Sequence, residues 1–228
     1  MLKNKVFIGY DSREDIAYQV LKYSIEKNAK KPVEIIPLKL KELTAERHFN
    51  RPQDPLQSTE FTYTRFLVPH LCGYEGTAIF MDCDMLCLGD INEVFELDLK
   101  NQALKVVKHD HRPSNTVKMD GKVQTSYPRK NWSSFMLLNC RKLTMWTKEA
   151  VETMPAKWLH RFEPIPDEQI GDIPNTWNVL DRFDETTKLI HYTEGGPWFE
   201  NYKDHPYGGP WLAYEKELSN AGIATRRA

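Results

Sequence analysis

The stretch Thr77-Ala78-Ile79-Phe80-Met81 is apolar from Ala78 onward and stops abruptly at Asp82-Cys83-Asp84-Met85. A short apolar run with no polar alternation is the pattern of a strand buried on both faces, as in a parallel sheet covered by helices. The carboxyl end of such a strand is where an open α/β sheet holds its ligand. Two acids separated by one residue line the same face of a regular strand but stand roughly 7 Å apart, so closing both on one ligand requires the chain to turn between them. Gly89-Asp90 just downstream fits a chain leaving the strand. Carboxylate oxygens are hard donors suited to Mg²⁺ or Mn²⁺, ions that complete their shells with water and a substrate diphosphate. Asp-x-Asp alone also arises from ordinary turn chemistry, and it acquires meaning only with company elsewhere in the chain.

Upstream, Val6-Phe7-Ile8-Gly9 reads as a strand and Tyr10-Asp11-Ser12 as a polar turn. From Asp15 the apolar residues Ala17, Leu21 and Ile25, four apart with Val20 alongside, mark an amphipathic helix. Val33 to Leu38 supplies a second strand, so the chain opens β-α-β, with parallel pairing as the default. Tyr10 and Asp11 then stand at the carboxyl end of the first strand, where Asp11 either contacts a base or ribose or caps the helix, the commoner use. Residues 43–58, polar and carrying Pro52 and Pro55, read as a surface excursion. Phe61, Thr64, Val68 and Leu71 mark one face of a short helix. Its Arg65 is either a solvated charge or a planar fork for a phosphate or sugar hydroxyl.

Beyond the acids, residues 90–95 read as a capped helical turn and 103–107 as a strand. His109-Asp110-His111 reads as a polar strand end, because adjacent residues do not easily converge on one ion. Residues 112–130 read as a long loop over the site. Ser133-Ser134 leads into a strand at 135–138, residues 144–154 into a helix, and Pro164-Ile165-Pro166 into a further helix with Asp167 and Glu168 at its positive end. Residues 177–180 and 188–191 are late strands. The second runs into His191-Tyr192-Thr193-Glu194-Gly195-Gly196-Pro197-Trp198, where His191 is either a packed, hydrogen-bonded ring or meets the acid pair across the sheet. The Pro-, Gly-, Tyr- and Trp-rich residues from Asn201 onward are expected to wrap as a surface flap whose aromatics either pack on the domain or stack on a sugar.

With 228 residues the chain can bury one good core and falls in the range of a single α/β domain. Lys and Arg number 31 against 32 for Asp and Glu, which leaves no global field to attract nucleic acid or an anionic membrane and suits a small polar substrate. No signal-peptide core is visible and no apolar stretch approaches the ~20 residues needed to span a bilayer, so a soluble protein is expected. The four cysteines, Cys72, Cys83, Cys87 and Cys140, form no paired metal-ligand spacing and suggest reduced thiols in a cytoplasmic protein.

These segments occur in an order that resembles the metal-dependent GT-A glycosyltransferases, most closely the family 8 retaining enzymes related to glycogenin and the bacterial lipopolysaccharide galactosyl- and glucosyltransferases. The resemblance rests on Tyr10-Asp11, Tyr63-Thr64-Arg65-Phe66-Leu67-Val68-Pro69, Phe80-Met81-Asp82-Cys83-Asp84, Ser133-Ser134-Phe135-Met136-Leu137-Leu138-Asn139 and His191 to Trp198. It implies a single GT-A domain over 1–228, a Rossmann-like mixed sheet flanked by helices, with a nucleotide-binding half (1–100) and an acceptor half (101–228) ending in the flap. It further implies that Asp82, Asp84 and His191 hold Mn²⁺ or Mg²⁺ against the diphosphate of a nucleotide sugar, usually a UDP-sugar, and that the acceptor is a glycan or lipid-linked sugar. Tyr10, Asp11, Arg65, Cys83, Ser134, Gly195, Gly196 and Trp198 would line the donor. The nearest match to the family's Asp-Gln turn is Glu168-Gln169, and Gln169, by contact with the donor sugar, and the adjoining Asp167 are the catalytic candidates.

Two departures from the family pattern stand out. Gly196 occupies the place of a Lys that usually precedes Pro-Trp, so backbone N–H groups at Gly195 and Gly196 would replace its charge. Trp132-Ser133-Ser134 replaces the usual Asn-Ala-Gly, which removes an expected donor-sugar contact. Two other readings remain open: a metal-dependent nucleotidyltransferase, for which Gly9-Tyr10-Asp11-Ser12-Arg13 is a poor phosphate loop, and a non-catalytic nucleotide- or sugar-binding homologue.

Overall fold

The computed structural model describes residues 3–55, 57–109 and 129–222. Of the loop expected at 112–130 only Arg129 and Lys130 are described, and Asp110 and His111 also lie outside the described residues.

The chain opens as its pattern requires, with β1 (Lys5–Gly9), α1 (Asp15–Asn28) and β2 (Glu34–Leu38). The helix buries Ile16, Ala17, Val20, Leu21 and Ile25, residues three or four apart on one face. A short α2 (Leu40–Ala45) begins the surface excursion, and a 3-10 turn at Thr64–Leu67 runs into α3 (Val68–Leu71). Then come β3 (Thr77–Met81), β4 (Met85–Cys87), α4 (Asn92–Phe95), β5 (Leu104–Val106) and β6 (Phe135–Asn139). The remainder is α5 (Lys148–Thr153), α6 (Ala156–His160), β7 (Ile170–Asp172), β8 (Trp177–Leu180), β9 (Leu189–His191) and α7 (Gly209–Asn220).

Six strands form one mixed sheet in the order β2-β1-β3-β6-β5-β7. β1 is parallel to β2 and to β3, whereas β6 runs antiparallel to both β3 and β5. Pro37 lacks an N–H to donate and is accommodated in β2 because that strand is at the edge. The interior residues Val6, Ile8, Ile79, Phe80, Leu137 and Leu138 are almost wholly withdrawn from solvent, each such burial contributing about 1.5–3 kcal/mol. A second sheet has the order β4-β9-β8. The acidic turn is therefore the place where the chain passes from one sheet to the other.

Three segments differ from their sequence expectation. The helix expected after Pro166 is a three-residue 3-10 turn, Asp167–Gln169, that ends in β7. That strand closes the open edge of β5, whose backbone groups would otherwise be unpaired. The helix expected at 144–154 begins only at Lys148, where Thr147 Oγ1 accepts the Ala150 N–H at 3.0 Å. The C-terminal segment covers the domain with the helix α7, and Trp211 and Leu218 on it are buried with Ile16, Val20, Leu86, Ile190, Tyr192 and Trp198 in a second core. Of the two roles open to the segment's aromatics, packing on the domain is the one Trp211 takes, anchoring α7 against α1 and the second sheet.

Candidate active site

The turn between β3 and β4 is pinned at both ends. The Asp82 N–H donates to the Ser134 carbonyl at 2.9 Å, and the Tyr192 N–H donates to the Asp84 carbonyl at 2.9 Å. One bond ties the turn to the first sheet and the other to the second. Cys83, between them, is fully buried in the main core, which raises its thiol pKa well above the ordinary value. With Cys83 turned into the core, the turn draws the acids on either side of it together. Asp82, Asp84 and His191 each offer a ligand atom, and the three atoms lie within 4.8 Å of one another.

Two of the three have a supporting partner outside the cluster. Asp82 Oδ1 lies 2.9 Å from Arg65 Nη1, which also donates to the Ser133 carbonyl at 3.0 Å. The guanidinium sits near the rings of Phe61 and Phe80, 5.1 and 5.2 Å from their centroids. Behind it, His160 Nδ1 is 2.9 Å from Ser133 Oγ. Burial, then the Arg65 charge, hold the His160 pKa down to about 3, so this ring is neutral. His191 Nε2 lies 3.2 Å from Asp84 Oδ1, and its Nδ1 lies 2.9 Å from Asn178 Oδ1. Burial opposes a charge on His191, but Asp84, then Asp82 and Asp181, outweigh it and raise the pKa above the ordinary value. Asp84, partly exposed, opens the cluster to solvent.

The residues fit a small divalent cation. An octahedral ion with ~2.1 Å bonds holds adjacent donors about 3 Å apart, which matches the spacing of His191 Nε2 and Asp84 Oδ1. The donor set of two carboxylates and one imidazole suits Mn²⁺ and Mg²⁺. Asp84 Oδ1 is withdrawn from water with His191 Nε2 3.2 Å away, so beside a neutral ring it lacks a donor, a costly state for a carboxylate oxygen that a cation would relieve.

The other expected site residues fall into two groups. Ser134 belongs to the cluster through its carbonyl bond to Asp82. Asp11 and Tyr10 stand at the end of β1, but the fully buried Asp11 carboxylate accepts from Arg13 N, Nε and Nη2 and from Glu60 N. Those four bonds fill the four lone-pair sites of a carboxylate, and Asp11 acts as the cap of the 3-10 turn at Ser12–Glu14. The Tyr10 hydroxyl donates to Asp15 at 2.8 Å. Arg65 stands behind Asp82 rather than on an open face. The Gly195 N–H donates to the Tyr192 carbonyl at 3.1 Å, and its φ of 112° requires glycine. A Cβ on Gly196 would lie 1.9 Å from the Trp198 ring, and that buried ring packs 5.2 Å from Trp211. Trp198 is thus a core residue.

Asp167 and Gln169 are not brought to the cluster. The Gln169 carbonyl accepts from Ala103 N at the start of β5, and parallel pairing puts Asp172, not Gln169, toward the end of the sheet where Asp82 emerges. Asp167 is exposed and bonded to Arg129. Two groups at the site were not singled out by sequence. Asn178 lies in an otherwise apolar strand, where one polar residue was the sole signal. Glu14, half-buried at the start of α1, faces the cluster: desolvation, then Asp84 and Asp11, push its carboxyl up to about 8.

Residues 10–201 match the model of the family described as Glycosyl transferase family 8. Protein CDI of Arabidopsis thaliana is 46% identical over 225 residues, spanning 94% of this chain and 87% of that protein. The solved galactosyltransferase LgtC, in complex with donor and acceptor sugar analogues, superposes with a TM-score of 0.60 at 12% identity, covering 94% of this chain and 96% of that one. GlyE of Streptococcus pneumoniae TIGR4 gives 0.60 at 12% identity over 100% of this chain and 66% of that one. The bifunctional glycosyltransferase WbbM gives 0.59 at 16% identity over 96% of this chain, which spans about half (51%) of WbbM. At these identities the structural likeness is one of fold. Among the described residues no helix is long and apolar enough to cross a membrane.

Proposed function

As the chain belongs to glycosyl transferase family 8 and has the GT-A fold, we propose that it is a metal-dependent transferase moving a sugar from a nucleotide-sugar donor, a UDP-sugar, to a glycan or lipid-linked sugar acceptor. The observation that carries this reading is the convergence of Asp82, Asp84 and His191 within 4.8 Å at the turn joining the two sheets. Asp82 and Asp84 through their carboxylates and His191 through Nε2 would hold Mn²⁺ or Mg²⁺. A bound divalent ion supplies Lewis-acid stabilisation of the charge that develops on a diphosphate leaving group.

Arg65 holds Asp82 aimed at the cluster, the role its 2.9 Å contact supports. His160, neutral behind it, holds Ser133 without adding a competing positive charge. Retention of anomeric configuration is carried over from the family, and the cytoplasmic setting is read from the four free cysteines. No step is assigned to Asp167, which is bonded to Arg129, or to Gln169, whose carbonyl pairs with Ala103 N. Tyr10 and Asp11 are assigned to building the turn, because their polar groups already have partners within it.

Donor hydrolysis tests this reading. Incubation with UDP-sugars and Mn²⁺ in the absence of acceptor is expected to release UDP and free sugar slowly, and Asp84→Asn is expected to abolish the release. Release of pyrophosphate instead would favour a nucleotidyltransferase, and no release with any nucleotide sugar would favour a binding homologue.

A further inference from the structure

His191 uses one ring nitrogen toward the carboxylates and the other toward Asn178, and the second contact belongs to a relay whose direction can be worked out. Ser134 Oγ donates to the Asn131 carbonyl at 2.6 Å. Its proton being committed there, Ser134 Oγ can only accept from Asn178, 3.0 Å away, so the amide group facing it is Nδ2. Asn178 Oδ1 must then face His191 Nδ1 at 2.9 Å, and an amide oxygen can only accept. The imidazole proton is therefore held on Nδ1, and the lone pair is left on Nε2, the nitrogen beside Asp84.

Two further features make this relay a built one. Asn178 is fully buried and has φ +95° at an irregularity in the pairing of β8 with β9, a conformation a non-glycine residue adopts only where its surroundings enforce it. Ser134 is tied to the acidic turn as well, since its carbonyl accepts the Asp82 N–H at 2.9 Å. One residue thus touches the Asp82 end of the cluster by its main chain and the His191 end through Asn178.

We infer that Asn178 is a positioning residue that fixes the Nδ1–H tautomer of His191 and, through Ser134, sets the spacing between Asp82 on one sheet and His191 on the other. The inference rests on the metal reading of the site, with Asn178 acting through His191 rather than touching substrate.

The test uses Asn178→Gly, Asn178→Asp and Ser134→Ala. Glycine removes the amide and tolerates the positive φ, so this variant is expected to fold. Aspartate keeps an acceptor for Nδ1–H. Nitrogen-15 NMR of the metal-free protein at alkaline pH, where the ring is neutral, reads the tautomer, and direct Mn²⁺ titration reads affinity. Wild type is expected to show Nδ1–H, Asn178→Gly to lose that preference together with roughly 10–100-fold in Mn²⁺ affinity, Asn178→Asp to restore the tautomer, and Ser134→Ala to weaken both readouts. An Nε2–H tautomer in wild type, or wild-type tautomer and Mn²⁺ affinity in Asn178→Gly, would overturn the inference. The tautomer is read without metal, so it decides the positioning role even where wild type binds no Mn²⁺, an outcome that would sink the metal reading separately.

Discussion

Arg65 Nη1 and Asp82 Oδ1 form a 2.9 Å ion pair in which both side chains are almost fully withdrawn from water. Such a pair contributes little net stability relative to an apolar replacement, because desolvation offsets the attraction. Removing one partner is different, since it strands the other charge. Arg65→Met should therefore destabilise the metal-free protein by about 3–5 kcal/mol in urea unfolding, and added Mn²⁺ should recover part of that loss by taking up the Asp82 carboxylate. A loss below about 1 kcal/mol, the scale of a surface pair, would show that Asp82 is solvated.

Trp211 places α7 in the second core, where it meets Trp198 at 5.2 Å with no exposed surface. Truncating a buried aromatic costs both its transfer free energy and a cavity. Trp211→Ala is expected to lower stability by about 3–5 kcal/mol and Trp211→Phe by less. If α7 were a dispensable flap, Trp211→Ala would unfold at the wild-type denaturant concentration.

The His191–Asp84 pair gives the metal-free protein a pH signature. Burial works against the imidazolium, but Asp84 and Asp82 win and the folded pKa is raised. The group thus binds its proton more tightly folded than unfolded, so its contribution is complete below about pH 6.5 and is lost as pH rises through the raised folded value. His191→Gln should flatten this part of the stability profile. Mn²⁺ affinity should run the opposite way in wild type and increase with pH over the same window, because a ligating ring must be deprotonated.

Glu14 supplies a second signature. Desolvation, then Asp84 and Asp11, raise its carboxyl from an ordinary 4.5 to about 8. The folded state holds this proton between those values while the unfolded state has lost it, so stability falls as pH rises across the interval. Glu14→Gln should raise the melting temperature of the metal-free protein at pH 8 and leave it unchanged near pH 4. An equal effect at both pH values would mean that the change acts through packing.

What was legible in the sequence was what residue type and local order encode. The parallel β1-α1-β2 opening follows from apolar spacing, whereas Asp82, Asp84 and His191 were joined into one ligand set through the family resemblance, the residues alone leaving His191 either a packed ring or a partner of the acids. What was not legible depended on distant partners. Residues 170–172 form a strand by pairing with the free edge of β5, in a register that puts Asp172, not Gln169, toward the end of the sheet where Asp82 emerges. Asn178 matters through a positive φ and a Ser134 hydroxyl 44 residues away in sequence. Asp11 could cap or bind until Arg13 and Glu60 were seen to fill its lone pairs. Trp-, Pro- and Gly-rich composition did not distinguish an outer wrap from the helix that Trp211 anchors.

The most direct test of the central claim is thermal unfolding with UDP, GDP, CMP or ADP, each with Mn²⁺ or with chelator, in wild type and Asp84→Asn. A ligand at a hundredfold excess over Kd adds about 2.7 kcal/mol, which for a chain of this size is a rise of about 5–10 °C. The account predicts that rise for UDP with Mn²⁺, its absence with chelator, and its loss in Asp84→Asn. No rise with any nucleotide, or a rise that survives both chelator and Asp84→Asn, would contradict the assignment of Asp82, Asp84 and His191 as a metal–diphosphate site.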